Sequence, residues 1–337
     1  RVLAEDPGVL AGLVVSGGLD GEATAASVRR TGSTSAPARE GDVRAFGQAP
    51  TAEIGADTWE TWSGSPAVFG EGDLALFGGK VHVIGGMRLD PYLRSASRLT
   101  PAVGDTPSIG LFEQEVFVEP RAAVRYRVVE DVEVRAAYGL YHQPPPPEDV
   151  SAVFGSPSLA SSGAQHVLGG VNAKLFLGFD VDLVGYFTAS TELPVRSPLD
   201  SPLLARSLVS TGIGRSYGLQ VLLRRSLADG LFGWVSYGLA RSERARNDDS
   251  AFRLFDFDQT HVFTALASYE IGAGFELGTR FRLSSGFPRT PVTGAYYVSR
   301  TDSYEPLFGD QNDDRLPTFV QLDVRLSKKF DLGAVDV

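Results

Sequence analysis

The chain has 337 residues with 38 Gly, 20 Pro and no Cys, and a formal net charge of −10; an acidic balance argues against a nucleic-acid binder, which carries a basic footprint. Apolar residues make up 43% of it and mean hydropathy is −0.03, but no run approaches the roughly 18 apolar residues of a membrane helix, so helical spanning is excluded. A β-barrel is not, because only alternate residues of a barrel strand meet lipid.

In chain order, the chain opens at Arg1-Val2-Leu3 without Met, and Glu5 and Asp6 stand where a signal peptide would be basic and then apolar. This reads as a start inside a longer protein. About 13 strands are predicted by period and turn chemistry, at 9–17, 22–30, 66–77, 80–92, 115–129, 132–142, 165–177, 181–189, 215–228, 231–243, 258–271, 275–285 and 316–329. Residues 331–337 read as the start of a fourteenth.

The clearest strand is 115–129. Val116, Val118, Pro120, Ala122, Val124, Tyr126 and Val128 fall on one face, and Glu119, Arg121, Arg125 and Arg127 on the other. A helix would scatter these arginines around its circumference, so a period of two means a strand. After Glu130-Asp131, Val132, Val134, Ala136, Tyr138 and Leu140 oppose Glu133 and Arg135, completing a hairpin. Phe275, Leu277, Phe281 and Leu283 oppose Glu276, Arg280 and Arg282, and Val320, Leu322, Val324 and Leu326 oppose Gln321, Asp323 and Arg325.

The connections alternate. Tight turns are predicted at Leu19 to Gly21, Gly78-Gly79, Glu130-Asp131, Gly178 to Asp180, Asp229-Gly230 and Gly272 to Gly274, with long loops at 31–65, 93–114, 143–164, 190–214, 244–257 and 286–315 between and after them. Compact soluble domains rarely carry so many long loops, whereas outer-membrane barrels pair short periplasmic turns with long extracellular loops. Tyr138, Tyr141, Phe187, Phe232, Trp234 and Tyr269 near strand ends suit interfacial aromatic girdles. The expected fold is therefore all-β, an antiparallel transmembrane β-barrel.

Four stretches at strand ends, Tyr138 to Asp149 (YGLYHQPPPPED), Phe255 to Val262 (FDFDQTHV), Gly278 to Pro288 (GTRFRLSSGFP) and Leu316 to Arg325 (LPTFVQLDVR), resemble the barrel domain of TonB-dependent outer-membrane receptors. The resemblance runs from about Pro66 to Phe330. It implies a 22-stranded barrel of a Gram-negative outer membrane, closed by an N-terminal plug and importing a scarce ligand with energy passed on by TonB. This chain departs from that pattern, with no plug, no TonB box and no closing strand ending in an aromatic residue. Residues 1–337 thus read as a partial barrel, 13 or 14 of the 22 strands. The implied partners are the lipid bilayer, TonB through the plug, and a small-molecule, metal-chelate, glycan or peptide ligand.

The chemistry-bearing residues weigh against an enzyme. His82, His142, His166 and His261 are far apart and form no metal-ligand motif. Gly214-Arg215-Ser216-Tyr217-Gly218 matches a nucleophile motif that works only on a strand-to-helix elbow, and here it opens a strand. No cofactor site is expected. Asp248-Asp249 and Asp310, Asp313 and Asp314 lack the ordered spacing of a Ca²⁺ loop and read as solvated. Pro144 to Pro147 forms a stiff connector, or a stem that holds a ligand-facing loop. Tyr296, Tyr297 and Tyr304 in loop 286–315 are the candidate ligand contacts, with self-packing of the loop as the equal alternative. A passive porin or structural barrel is the rival membrane reading, and an outer-membrane hydrolase the rival from another class.

Overall fold

The structure, a computed structural model, describes residues 10–32, 39–43, 54–100, 110–199, 206–228, 230–300 and 302–330. The strands are β1 (Leu10–Gly32), β2 (Ile54–Leu76), β3 (Val81–Thr100), β4 (Gly110–Val129), β5 (Val132–Gln143), β6 (Ser162–Lys174), β7 (Phe179–Arg196), β8 (Leu208–Ala228), β9 (Leu231–Ala245), β10 (Arg253–Leu254), β11 (His261–Gly272), β12 (Phe275–Ser284), β13 (Pro288–Arg289), β14 (Val292–Val298), β15 (Ser303–Phe308), β16 (Asp314–Arg315) and β17 (Phe319–Lys328).

Twelve of them form one antiparallel meander in the order β1-β2-β3-β4-β5-β6-β7-β8-β9-β11-β12-β17, with the short β10 beside β9. The strands of this path follow one another in chain order, with only the short loop strands β10 and β13 to β16 intervening, which is the up-and-down topology of a barrel wall. Among the described residues β1 and β17 do not pair with each other, so the sheet is an open, partial barrel with two free edges.

The first strand corrects the sequence reading. The predicted turn at Leu19 to Gly21 does not form: Gly18, Leu19, Asp20 and Gly21 pair in unbroken register with Phe69, Val68, Ala67 and Pro66, so the two expected strands 9–17 and 22–30 are one. Gly-Leu-Asp-Gly is good turn chemistry, but β2 offers a ladder partner over the whole length. Gly18 has a second reason to lack a side chain, since a Cβ there would lie 2.8 Å from the Phe69 ring. The turn expected at Gly178 to Asp180 is displaced, to Phe176–Gly178, with β7 already under way at Phe179.

Strands next to long loops run further than predicted. β2 begins at Ile54 rather than 66, β3 reaches Thr100, and β4 starts at Gly110. β1 and β2 have 23 residues each, about twice the 9 to 11 needed to cross a bilayer. The extra length lies at the loop end. It escaped prediction because apolar alternation stops where the lipid would stop, while backbone pairing continues.

The two faces divide as expected. Val116, Val118, Val124 and Tyr126 are exposed on the outer wall, as are Val167, Leu183, Phe187, Leu219, Leu277 and Leu322, the apolar surface that lipid would cover. Register carries the polar residues onto the opposite face: Arg125 stands against His82 and Arg135, Arg127 against Glu133, Arg280 against Asp323 and Arg282 against Gln321. Ion pairs such as Arg135 with Asp182 at 2.7 Å line this inner wall. Of the expected girdle, Tyr138, Phe187 and Tyr269 share the outer face, whereas Tyr141 and Trp234 share the inner one: an Arg121 guanidinium covers the Tyr141 ring, and Trp234 is in register with Arg224 and Leu266.

Candidate functional site

The loop end of the inner wall holds a cleft of ≈ 560 Å³, within the range of small-ligand sites. It is built from inward-facing residues of β1 to β4 and roofed by the loop after β5. Alternation on β3 places Arg88, Asp90, Tyr92 and Arg94 on one face, and register sets Glu119, Phe117, Glu115 and Glu113 of β4 against them in turn. Asp20 and Glu22 of β1 and His142 of β5 complete the polar lining.

Most of these charges are already engaged. Arg88 donates to Asp90 at 2.9 Å and to Asp20 at 3.0 Å, and Ser65 donates to Asp90 as well. Glu119, only 8% exposed, accepts from the His142 backbone N–H at 2.8 Å and from Arg121 at 3.2 Å. The His142 ring stacks on Phe117 with centroids 4.4 Å apart. Arg94, 3% exposed, donates through Nη2 to Glu113 and to the Leu159 carbonyl, while its buried Nε and Nη1 have no hydrogen-bond partner among the described residues.

The roof is loop 144–161, which folds back onto the wall. Four prolines form its stem, and Pro144, Pro145 and Pro147 line the cleft. A 3-10 turn at Pro147–Val150 then redirects the chain, with Pro at its first position where no N–H is needed. Trp59 donates its indole N–H to the Pro147 carbonyl at 2.8 Å. Ser151 donates to the buried Asp57 at 2.6 Å, and Ser161 to Glu115 at 2.6 Å. Val150 packs with Trp59 and Ala96 in a small core, and Gly155 is pressed so close to the Asp149 carbonyl that a Cβ would lie 2.0 Å from it. The proline run is thus the stem of a loop folded in over the cleft.

A hydrogen-bonded layer joins this loop to others. The short described segment 39–43 is tied on several sides: Arg39 forks onto Asp149, Asp42 accepts from Arg196, the Gly41 N–H donates to Asp256, and the Gly41 carbonyl accepts from Gln311. Asp258, buried at 2%, accepts from the Ser242 N–H at 2.7 Å and from Arg315 at 2.5 Å. Sequence reasoning gave Asp256 and Asp258 no role, although both sit inside FDFDQTHV. Their spacing of two, ahead of a strand, was the available signal.

The predicted contacts lie elsewhere. Tyr296, Tyr297 and Tyr304 are on the exposed β14–β15 hairpin and do not line the cleft. Tyr297 and Tyr304 face each other across the hairpin with ring centroids 5.4 Å apart, and the Tyr297 hydroxyl donates to Asp302, an anion that holds its pKa above the usual range. Arg289 beside Asp314 holds that carboxyl below the usual range. The four histidines stay apart, each with its own partner: His82 with Asp73, His142 with Phe117, His166 with Tyr141 and His261 with Tyr237. Ser216 lies within β8 and shares a hydrogen bond with Ser242 at 2.9 Å. Among the described residues no group of three or more His, Asp or Glu is placed to hold a metal ion.

The family model described as "TonB dependent receptor-like, beta-barrel" matches residues 15–337. Among solved structures, the ferric citrate transporter FecA in its unliganded form superposes at TM-score 0.65 and 14% identity over 95% of this chain and 44% of that one. The ferric yersiniabactin uptake receptor FyuA from Yersinia pestis superposes at 0.64 and 13% over 96% and 44%. The closed form of the ferric-catecholate import receptor Fiu from K12 E. coli gives 0.63 and 12% over 94% and 45%. The chain therefore spans less than half the length of these receptors. No curated protein is a significant match. With an apolar outer wall, a polar inner wall, an up-and-down meander and a family match over nearly its whole length, the chain belongs to the TonB-dependent receptor β-barrel family of outer-membrane transport proteins, which is not an enzyme family.

Proposed function

We propose that this chain is the larger part of the barrel wall of an outer-membrane receptor that takes up a scarce ligand at the expense of energy delivered by TonB. The observation that carries the reading is the roofed cleft: a polar hollow on the inner wall, at the end where the strands outrun a bilayer, covered by a loop anchored through Trp59, Asp57, Arg94 and Glu115. A passive pore needs no built pocket behind an anchored loop, whereas a capture receptor does. The remaining strands and the plug that TonB would engage belong, on this reading, to the rest of the protein, and they would cover the free edges of β1 and β17.

The test is uptake in cells carrying the full-length protein, with and without TonB. Accumulation of the ligand that stops on deletion of TonB supports the proposal. Accumulation that continues unchanged moves the protein to the passive-porin reading.

A further inference from the structure

The cleft is chemically lopsided. Four carboxylates line it, Asp20, Glu22, Asp90 and Glu119, against two guanidiniums, Arg88 and Arg94. Arg88 is shared between Asp20 and Asp90, Arg121 engages Glu119 from beside the cleft, and Glu22 is exposed with no ion pair among the described residues. The accessible polar surface therefore offers spare acceptors and negative charge, which favours a ligand that brings cationic donors. Tyr92 and Phe117 on the same wall add aromatic surface of the kind that also attracts cations.

Arg94 asks for the opposite group. Its side chain is more than nine-tenths buried at the edge of the cleft, and Nε and Nη1 lack partners among the described residues. Buried donors without acceptors are costly, and a ligand oxygen brought up to them would relieve that cost. Asp90 and Arg94 are four residues apart on one face of β3, about 13 Å along the strand. An extended peptide covers that span in about four residues.

From these two features together we infer that the cleft takes a short cationic peptide, or a ligand built like one, with a carbonyl or carboxylate oxygen at Arg94 and its basic groups against Asp20, Glu22, Asp90 and Glu119. The inference deepens the capture reading and rests on it for the transport step, but binding is measured without transport.

The experiment is calorimetric titration of the full-length protein in detergent with three probes: tri-lysine, which has cations and peptide oxygens; cadaverine, which has cations alone; and citrate, which has oxygens alone. Tri-lysine is expected to bind at least about tenfold tighter than either of the others. Glu22→Gln, at an exposed position that leaves folding intact, and Glu119→Gln should each weaken tri-lysine by about three- to tenfold. Asp248→Asn with Asp249→Asn, a remote exposed acidic pair, should leave it unchanged. The inference is overturned if citrate or cadaverine matches tri-lysine, if none of the three binds, if Glu22→Gln is silent, or if the remote pair matters as much as the cleft. TonB-independent uptake would overturn the transport reading while leaving these titrations as they stand.

Discussion

Trp59 donates its indole N–H to the carbonyl of Pro147 at 2.8 Å, so a side chain of the second strand holds the proline stem of a loop 88 residues further on. The indole is itself 3% exposed and packs on Val150 and Ala96. One residue thus supplies both the apolar and the polar part of the anchor. Trp59→Phe keeps most of the packing and removes the donor, leaving the half-buried Pro147 carbonyl without it at about 1 to 3 kcal/mol. Limited proteolysis within 144–161 should accelerate in this variant while the strands stay protected. A cleavage pattern identical to that of the wild type would mean that the loop is held without this bond.

Gly155 tests the same loop from within. A Cβ at this position would lie 2.0 Å from the Asp149 carbonyl oxygen, a backbone atom that cannot swing aside as a flexible side-chain end can. We expect Gly155→Ala to disorder the roof at a local cost of about 1 to 3 kcal/mol. Gly85→Ala, where a Cβ meets nothing within 4 Å, is the control and should be neutral. Loss of tri-lysine binding in the first and not in the second would tie the roof to the cleft. Equal behaviour of the two would separate them.

The faces make a third prediction. Val124 is exposed on the outer wall and Arg125 lies inside beside Asp73. In the intact barrel Val124→Arg near the midplane should destabilise folding by about 2 to 4 kcal/mol, and Arg125→Ala by much less, since its ion pair is long and partly solvated. Folding titrations in lipid vesicles read this directly. Equal losses would mean that the inside and outside of β4 are wrongly assigned.

How far the fold was legible in the sequence depends on the physics of each element. Where one face is greasy and the other charged, as from Val116 to Val128, the period of two identified strand and face, and the turn at Glu130-Asp131 identified its hairpin partner. It stopped being informative beyond the bilayer: β2 from Ile54 to Pro66 carries Asp57, Trp59, Glu60 and Trp62 without alternation, and only the ladder with β1 and β3 makes it a strand. The turn signature at Leu19 to Gly21 misled because local chemistry yields to a long partner. The cleft was illegible for a related reason. Its residues come from five strands and a loop, and Arg88 and Asp90 carry no signal of their own until register sets them beside Glu119 and Phe117. The tyrosines were visible because aromatic residues in a loop stand out, yet the hairpin turns them away from the cleft.

A pH effect is expected at the base of the long loop between β12 and β17. Arg289 holds Asp314 below its ordinary value of 3.8, chiefly by a side-chain hydrogen bond, and the Arg315 N–H adds to it. A depressed folded pKa means that the contribution is fully present above the unfolded value and is lost as pH falls through the folded one. Amide exchange at the β13–β16 pairing should therefore accelerate as pH drops below about 4, after correction for intrinsic rates, and Asp314→Asn should abolish that acceleration. The effect is small, because the pair is exposed. An unchanged profile in the variant would assign the acid sensitivity to another group.

The last prediction concerns the two edges. β1 presents 23 residues of backbone, and β17 presents 10, with no partner strand on the far side among the described residues. In hydrocarbon each unpaired N–H or C=O costs several kcal/mol, so a stable membrane barrel has to pair them. The sidedness comes from the same topology: if the turns at Gly78-Gly79, Glu130-Asp131 and Gly272 to Gly274 are periplasmic, every long loop is outside. We expect residues 1–337 expressed alone to give no heat-resistant band on electrophoresis, and the full-length protein to give one. In cells carrying the full-length protein, tags inserted in loops 246–252 or 299–302 should be labelled from outside, and tags at Glu130-Asp131 should not. A heat-resistant species from residues 1–337 alone would show that β1 and β17 can close on each other, and surface labelling at Glu130-Asp131 would invert the topology and move the cleft to the periplasmic side.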